Sequence, residues 1–188
     1  TSVSLGAAVS RAAFDILLQG DWSSVELDGL TLPAGTQRHD QVVIIEHAGS
    51  HAQSEQRFRG VVDDRGRSSF TGQIIVNPGT VDTSAHQTNH NILLTAHAQA
   101  DTRPWLEILA DDVRCTHGAT VGRLDDASMF YLQSRGIPEP EARRMLIGAF
   151  TREITDAIEP KSLRDHVEAQ IDAAQTLSEL NAPIFGAL

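Results

Sequence analysis

Short apolar runs separated by polar, glycine-containing spacers dominate the chain from its start to about Leu124. Each run holds roughly three to six residues rich in Val, Ile and Leu and is bounded by Gly, Asn, Asp, Ser or Pro, which is typical of β-strands. The runs are centred near residues 14, 25, 42, 60, 74, 91, 105 and 115. The pattern therefore predicts eight strands, and no helical periodicity, in this part of the chain.

The predicted strands follow one another too closely for a helix to cross between parallel neighbours. Their centres lie roughly 10 to 18 residues apart, which leaves a sandwich, a barrel or a β-solenoid as the possible architectures. Many short strands with apolar centres, polar corners and no exact repeat favour an irregular β-helix. In such a fold each coil buries its apolar face against the next.

The periodicity changes at Asp125, where helices begin. Asp125 or Asp126 can cap a first helix, and Gly136 ends that helix at its C′ position. A second helix follows, because Pro138 and Pro140 stand where helix starts tolerate proline, and we expect it to end at Pro160. Its apolar stripe consists of Ile147, Phe150, Ile154 and Ile158.

A third helix is predicted after Pro160. Ser162 with Asp165 resembles a capping box, and Leu163, Val167, Ile171 and Ala174 form its stripe. We therefore expect a β-helix core over residues 1–124, a helical subdomain over residues 125–188 and a loose final segment, NAPIFGAL. Helices of this length cannot bury both faces alone, so their stripes must pack on the β part, on one another or on a partner.

Charge and composition exclude several classes of partner. The formal charge of −10 repels phosphate backbones and acidic membrane surfaces, and no basic face with interleaved aromatics is present. No apolar run approaches the roughly 20 residues that span a bilayer, and the first residues lack the pattern of a signal peptide. We therefore expect a cytosolic protein that binds neither nucleic acid nor membrane.

The only cysteine, Cys115, precedes His117 by two residues in a strand-like run. Side chains alternate along a strand, so the thiol and the imidazole share one face. Together they can bind a borderline metal such as iron or zinc. The pair supplies only half of a ligand set, so we expect the remaining ligands to come from elsewhere in the fold or from another chain. An inert buried thiol is the alternative.

The remaining candidate residues carry weaker signals. His86 and His90 share one face and are possible paired ligands, although their glutamine- and asparagine-rich segment is more typical of hydrogen-bonding turns. Activation of Cys115 by His117 in a cysteine protease is a minor alternative. The motifs of serine hydrolases, phosphate-binding loops and dinucleotide-binding folds are absent from the sequence.

Three passages carry a resemblance to a known family. The chain resembles the SufB/SufD family in RGVVDDRGRSSFTGQIIV at 59–76, SAHQTNHNILLT at 84–95 and EILADDVRCTHGATVGRLDDASMFYLQSRGI at 107–137. Within the last passage, ADDVRCTHGATVG is similar to the SufD branch of that family. The resemblance covers roughly residues 10 to 150. It implies a mainly β fold, namely a right-handed parallel β-helix followed by C-terminal helices. It also implies a scaffold for iron–sulfur cluster assembly rather than an enzyme.

The resemblance further implies partners and site residues. The partners are SufB, whose β-helix lies beside this one, and the ABC-type ATPase SufC. A transient iron–sulfur cluster shared with SufB falls at His117 and Cys115, with His86 as a weaker candidate, and the whole complex is a possible carrier of reduced flavin. The surface expected to dock SufC is formed by Gly136, Ile137, Met145, Ile147 and Phe150. The implied location is the cytoplasm, or the plastid stroma in a plant.

Two departures from the family pattern qualify these expectations. The chain opens in strand-like sequence without the family's N-terminal helical region, so we expect a core fragment or a short member. His90 stands where SufD often has arginine, and we interpret it as a neutral variation.

Two other functions remain open: a purely structural β-helix module without a metal role, and a stand-alone metalloenzyme with His86, His90, His117 and Cys115 as ligands. An isolated chain is also expected to pair with itself through an exposed edge.

Overall fold

The computed structural model describes residues 1–181, with side chains described through Ala174. In this part of the chain, nine strands precede three helices. The strands are β1 (Ser2–Leu5), β2 (Val9–Leu18), β3 (Ser24–Leu32), β4 (Arg38–His47), β5 (Gln53–Val62), β6 (Arg67–Val76), β7 (Thr83–Leu93), β8 (Gln99–Ile108) and β9 (Val113–Gly122). The helices are α1 (Asp126–Ser134), α2 (Glu139–Thr155) and α3 (Lys161–Asn181).

The strands form two parallel sheets, and the chain alternates between them. One sheet has the order β1-β3-β5-β7-β9 and the other β2-β4-β6-β8. Register partners on successive coils, such as Ser2 and Gly29 or Arg67 and Gln99, are 27 to 32 residues apart. The structure is thus a parallel β-helix of about four coils followed by helices, which confirms the predicted fold class.

The corners between the two sheets repeat with the same period. Trp22, His51 and Asp82 stand at equivalent corners, and each has a positive φ of 49° to 63°. The Trp22 ring stacks on the His51 ring with 4.1 Å between centroids, and His51 Nδ1 lies 3.1 Å from Asp82 Oδ2. Side-chain contacts between successive coils therefore support this corner.

The interior of the β-helix is apolar near one corner and polar along its middle. Phe58 and Phe70 pack in the apolar part with their rings tilted by 41°, and Val43 and Ile45 are fully buried there. The buried polar side chains of the sheets include Gln41, Gln56, Gln87, Asn89 and Asn91. Alternation along each strand puts these polar residues on the inward face. Gln56 on β5 is the register partner of Gln87 on β7.

The apolar stripe of α2 packs on the outer face of the β-helix. Ile147 and Ile154 of α2 and Ile171 of α3 form one cluster with Leu30 and other residues of the β-helix. An ion pair between Arg59 on β5 and Glu153 on α2 joins the same two layers. Of the three possibilities left open by the sequence, the structure therefore shows two: packing on the β part and packing of the helices on one another.

The predicted helix starts and ends agree with the structure to different degrees. Asp125 is the N-cap of α1 and accepts a hydrogen bond from Ser128 N at 2.8 Å. Gly136, with a φ of 85°, follows α1 and donates its N–H to Gln133 O at 2.9 Å, as predicted for a C′ glycine. α2 ends at Thr155, before Pro160, and the α3 N-terminus lies one residue before Ser162.

Two sequence-based predictions concern the ends of the chain. β1 was not predicted, because its four residues, SVSL, do not form an apolar run. The expectation of a loose segment after Asn181 lies outside the described residues. None of the helices in the described part is long and apolar enough to cross a membrane.

Candidate functional site

The C-terminal end of the β-helix is formed by β8 and β9, each of which is the last strand of its sheet. Within the described residues, β9 pairs only with β7 and β8 only with β6. Their outer edges therefore carry backbone N–H and C=O groups without a neighbouring strand. Large apolar side chains are exposed at this end: Trp105, Ile108, Leu109 and Val121. This surface, formed by β8, β9 and the adjoining Leu109, is called the open end below.

Cys115 and His117 share the inward face of β9. Their register partners on β7 are Ala85 and Gln87, which are 0% and 1% exposed. Cys115 also packs against the buried cluster of Ile74, Val76 and Ala85, whereas His117 is exposed. The predicted shared face of the thiol and the imidazole is therefore present, at the last coil of the β-helix.

The Cys115 thiol is poorly suited to bind metal when no partner covers the open end. Burial raises its pKa above the ordinary value, and the hydrogen bond with the Ala85 backbone opposes this only in part. Because the thiolate is the form that binds metal, coordination by Cys115 costs the loss of a tightly held proton. The half-buried position thus makes Cys115 less reactive than an exposed cysteine.

His117 lies in a different environment from Cys115. Its ring makes no hydrogen bond to any residue that the structure describes, and its side chain is at the exposed end of the coil. A neutral imidazole coordinates a metal through a free ring nitrogen without first losing a proton. Of the two candidate ligands, His117 is therefore the more accessible.

His86 does not join this pair. Its register partner on β9 is Thr116, so its side chain is on the outward face of the sheet, opposite to Cys115 and His117. Both ring nitrogens have partners, at 3.1 Å to Ser84 Oγ and 2.7 Å to Thr116 Oγ1. The structure therefore does not bring His86 to the candidate site.

His90 is on the same outward face as His86 but too far along β7 to share an ion with it. Four residues of a strand span about 13 Å. His90 Nδ1 lies 2.9 Å from Thr120 Oγ1, and burial, followed by the nearby Arg59 guanidinium, lowers the pKa of its imidazole. In the described part of the chain, no three side chains of His, Cys, Asp or Glu are arranged to hold a metal.

The residues expected to dock SufC fall into an exposed and a buried group. Gly136 and Met145 are exposed, and Ile137 is half-buried at the connection between α1 and α2. Ile147 is 1% exposed, while Phe150 packs on the β-helix and lies under the Arg59 guanidinium, 5.6 Å from its ring centroid. Only the first group is therefore accessible to a partner.

Exposed aromatic residues on α1 are a feature that sequence reasoning missed. Phe130 and Tyr131 are 72% and 57% exposed, and α1 has no buried residue among those described. Next to Phe130, a cleft of about 370 Å³ separates α1 from the end of β7, with Arg123 and Arg143 in its lining. The sequence of α1 has no clear apolar stripe, and a helix without such a stripe has no face to bury. This low amphipathicity could have indicated that the aromatic side chains of α1 are exposed.

Comparison with known proteins places these features in a family. Residues 1–150 match the family model described as SUF system FeS cluster assembly, SufBD core domain. The chain is 41% identical over 167 residues to the iron-sulfur cluster assembly protein SufD of Escherichia coli, an alignment that covers 89% of this chain and 40% of the relative.

Two further relatives are also covered only in part by this chain. An iron-sulfur cluster assembly SufBD family protein of Synechocystis is 37% identical over 86% of this chain and 36% of its own length. Protein ABCI7, chloroplastic, of Arabidopsis thaliana is 32% identical over 71% of this chain and 28% of its own length. The chain thus spans less than half the length of these curated relatives.

Proposed function

Because this chain belongs to the SufBD core-domain family of the SUF iron–sulfur cluster assembly system, we propose that it acts as a SufD-like scaffold subunit. It pairs the open end of its β-helix with SufB and helps to hold a nascent cluster at the junction. The observation that carries this proposal is the position of β9. This strand ends its sheet, and it bears a thiol and an imidazole on its inward face.

An unpaired sheet edge favours addition of another strand. At the open end, the exposed Ile108, Leu109 and Val121 add apolar surface beside the free backbone groups of β9. A second β-helix with a similar end continues both sheets and covers this surface. In the absence of SufB, a second copy of this chain is the partner that pairs there, through a two-fold symmetric contact.

The site is completed by the partner. His117 supplies an imidazole nitrogen, and SufB supplies a cysteine thiolate from its facing strand. Cys115 lies beside His117 on the same face, and it becomes a ligand or sulfur carrier only when its proton is lost. Reduced flavin elsewhere in the complex and a location in the cytoplasm or plastid stroma stay predictions.

SufC docks on the helical part, with contacts from Met145, Gly136 and Ile137. Ile147 and Phe150 act indirectly, because they hold α2 on the β-helix. Closure of two SufC subunits on ATP then moves α2. The Arg59–Glu153 ion pair passes this movement to β5.

The pairing surface is tested with charges at opposite ends of the β-helix. Val121→Glu adds a desolvated carboxylate to the open end, whereas Val9→Glu adds one to β2, at the other end, where Val9 is 71% exposed. We expect Val121→Glu to lose SufB in copurification and to make the isolated chain monomeric in size-exclusion chromatography. Val9→Glu keeps both contacts. Equal recovery of SufB with the two variants contradicts pairing at the open end.

The first alternative is a structural module without a metal role. Such a module also pairs through the open end, but His117 binds no cluster in it. In that case Cys115 and His117 only pack against SufB, and replacing His117 leaves cluster content unchanged. A stand-alone metalloenzyme instead binds metal without SufB. The outward position of His86 and its two hydrogen bonds speak against that function.

A further inference from the structure

A row of polar side chains runs through the interior of the β-helix and ends at His117. Gln56 on β5 is the register partner of Gln87 on β7, which in turn is the register partner of His117 on β9. Gln56 and Gln87 are 0% and 1% exposed. All three side chains are on the inward face, so Gln87 separates the exposed imidazole from the buried core.

The carboxamide of Gln87 is held on one side. Its Nε2 donates a hydrogen bond to Gln56 Oε1 at 2.9 Å. Gly72 on β6 makes room for this group, because a Cβ at position 72 would come within 2.3 Å of Gln87 Nε2. A larger residue at position 72, in the sheet opposite β7, would therefore collide with the Gln87 carboxamide.

The other side of the same carboxamide has no partner. Gln87 Oε1 is fully buried and accepts no hydrogen bond from any residue that the structure describes. A buried acceptor in this state is costly, and native structures rarely leave one unpaired. Its nearest register neighbour toward the open end is His117, whose ring is likewise unbonded within the described residues.

The two groups are complementary in chemistry. An amide oxygen only accepts, so it selects the imidazole tautomer whose N–H faces it. Neighbouring strands lie about 4.8 Å apart, a distance that a rotation of the exposed His117 side chain can bridge with a hydrogen bond. The second ring nitrogen then carries the lone pair and faces the open end. Metal-binding histidines commonly depend on such a second partner for their orientation.

We propose that Gln87 is a positioning residue for His117. Its Oε1 accepts a hydrogen bond from the imidazole N–H and so presents the other ring nitrogen to the nascent cluster. This proposal deepens the proposed function and rests on it for the identity of the cargo. The hydrogen bond itself is a property of this chain without metal.

The test uses ¹⁵N-histidine NMR spectra of the metal-free chain. Gln87→Met keeps the side-chain length but removes the acceptor, while the control Gln41→Met makes the same change at another buried glutamine, on β4. We expect the two His117 ring nitrogens to show one dominant tautomer in the wild type and in Gln41→Met, and a mixture in Gln87→Met. Identical His117 signals in the wild type and Gln87→Met would overturn the proposal.

A second variant covers the possibility that Gln87→Met does not fold. Gln87→Asn keeps the amide but withdraws its oxygen by one methylene, and it should give the same mixture of tautomers. In the complex with SufB, loss of the positioning bond is expected to weaken iron binding about 10-fold or more. If the tautomer depends on Gln87 but cluster content does not depend on His117, the hydrogen bond stands and the scaffold function fails.

Discussion

Cys115 and His117 differ in their readiness to bind metal, although one strand face carries both. Burial raises the pKa of the Cys115 thiol, so its protonated form dominates at neutral pH. His117 is exposed, and an imidazole can bind metal without first losing a proton. The lone cysteine is more conspicuous in the sequence, yet the histidine is the residue whose replacement should matter first.

Two buried histidines in the β-helix make its stability depend on pH. Burial lowers the pKa of His47 and, against the opposing hydrogen bond to Ala7 O, also that of His39, below the ordinary value of 6.5. The Nδ1 atoms of both rings are buried without a partner among the described residues. The unfolded chain therefore binds protons first as the pH falls below about 6.5, and acid destabilises the fold.

The role of His47 predicts that the stability of the wild type and of His47→Gln depends differently on pH. His47→Gln removes one titrating ring while keeping a polar group near Ser54, whose Oγ lies 2.9 Å from His47 Nε2. We expect its free energy of unfolding to fall less steeply than that of the wild type between about pH 7 and pH 5, by at most about 1.4 kcal/mol per pH unit. Urea unfolding at several pH values measures both slopes, and equal slopes would refute the assignment.

At the scale of elements, α2 has two faces with different roles. Ile147 and Ile154 are buried against the β-helix, whereas Met145 on the same helix is 47% exposed. The buried face determines stability, and the exposed face is free for a partner. The sequence-based docking set mixed the two, because a stripe at helical spacing predicts burial but not which surface buries it.

The two faces of α2 predict opposite results for two substitutions. Ile147→Ala leaves a cavity under the helix and should lower the free energy of unfolding by about 2–5 kcal/mol. Met145→Ala should change it by about 0.5 kcal/mol or less, while reducing the SufC recovered in copurification. Chemical unfolding and copurification of both variants provide the measurements. An unchanged SufC yield for Met145→Ala would exclude this face as the docking surface.

Most elements were predictable from local pattern, whereas their pairing was not. All eight predicted strands are present because each has a compact apolar centre, while β1 has only four half-buried residues. The shared face of Cys115 and His117 follows from strand alternation alone. The separation of His86 from them depends on the β7–β9 register, which pairs His86 with Thr116. A shift of one residue would bring His86 and His117 to the same face.

At the scale of the whole molecule, the β-helix connects a helical surface to an open end. The ion pair of Arg59 with Glu153 ties α2 to β5, and hydrogen-bonded β7 and β9 continue the same sheet to the candidate site. A partner on the helices and a partner at the open end thus contact one continuous sheet. This arrangement is consistent with the proposed scaffold, in which a second chain completes the cluster site.

The cluster content of the assembled complex tests the central claim most directly. SufB and SufC are copurified with the wild-type chain, with His117→Ala and with the control His97→Ala, an exposed histidine between β7 and β8. Bound iron and sulfide are then measured per complex. We expect all three complexes to assemble, with wild-type cluster content for His97→Ala and a sharp loss of bound iron and sulfide for His117→Ala. Equal cluster content in all three would contradict a role for His117 and leave a purely structural module.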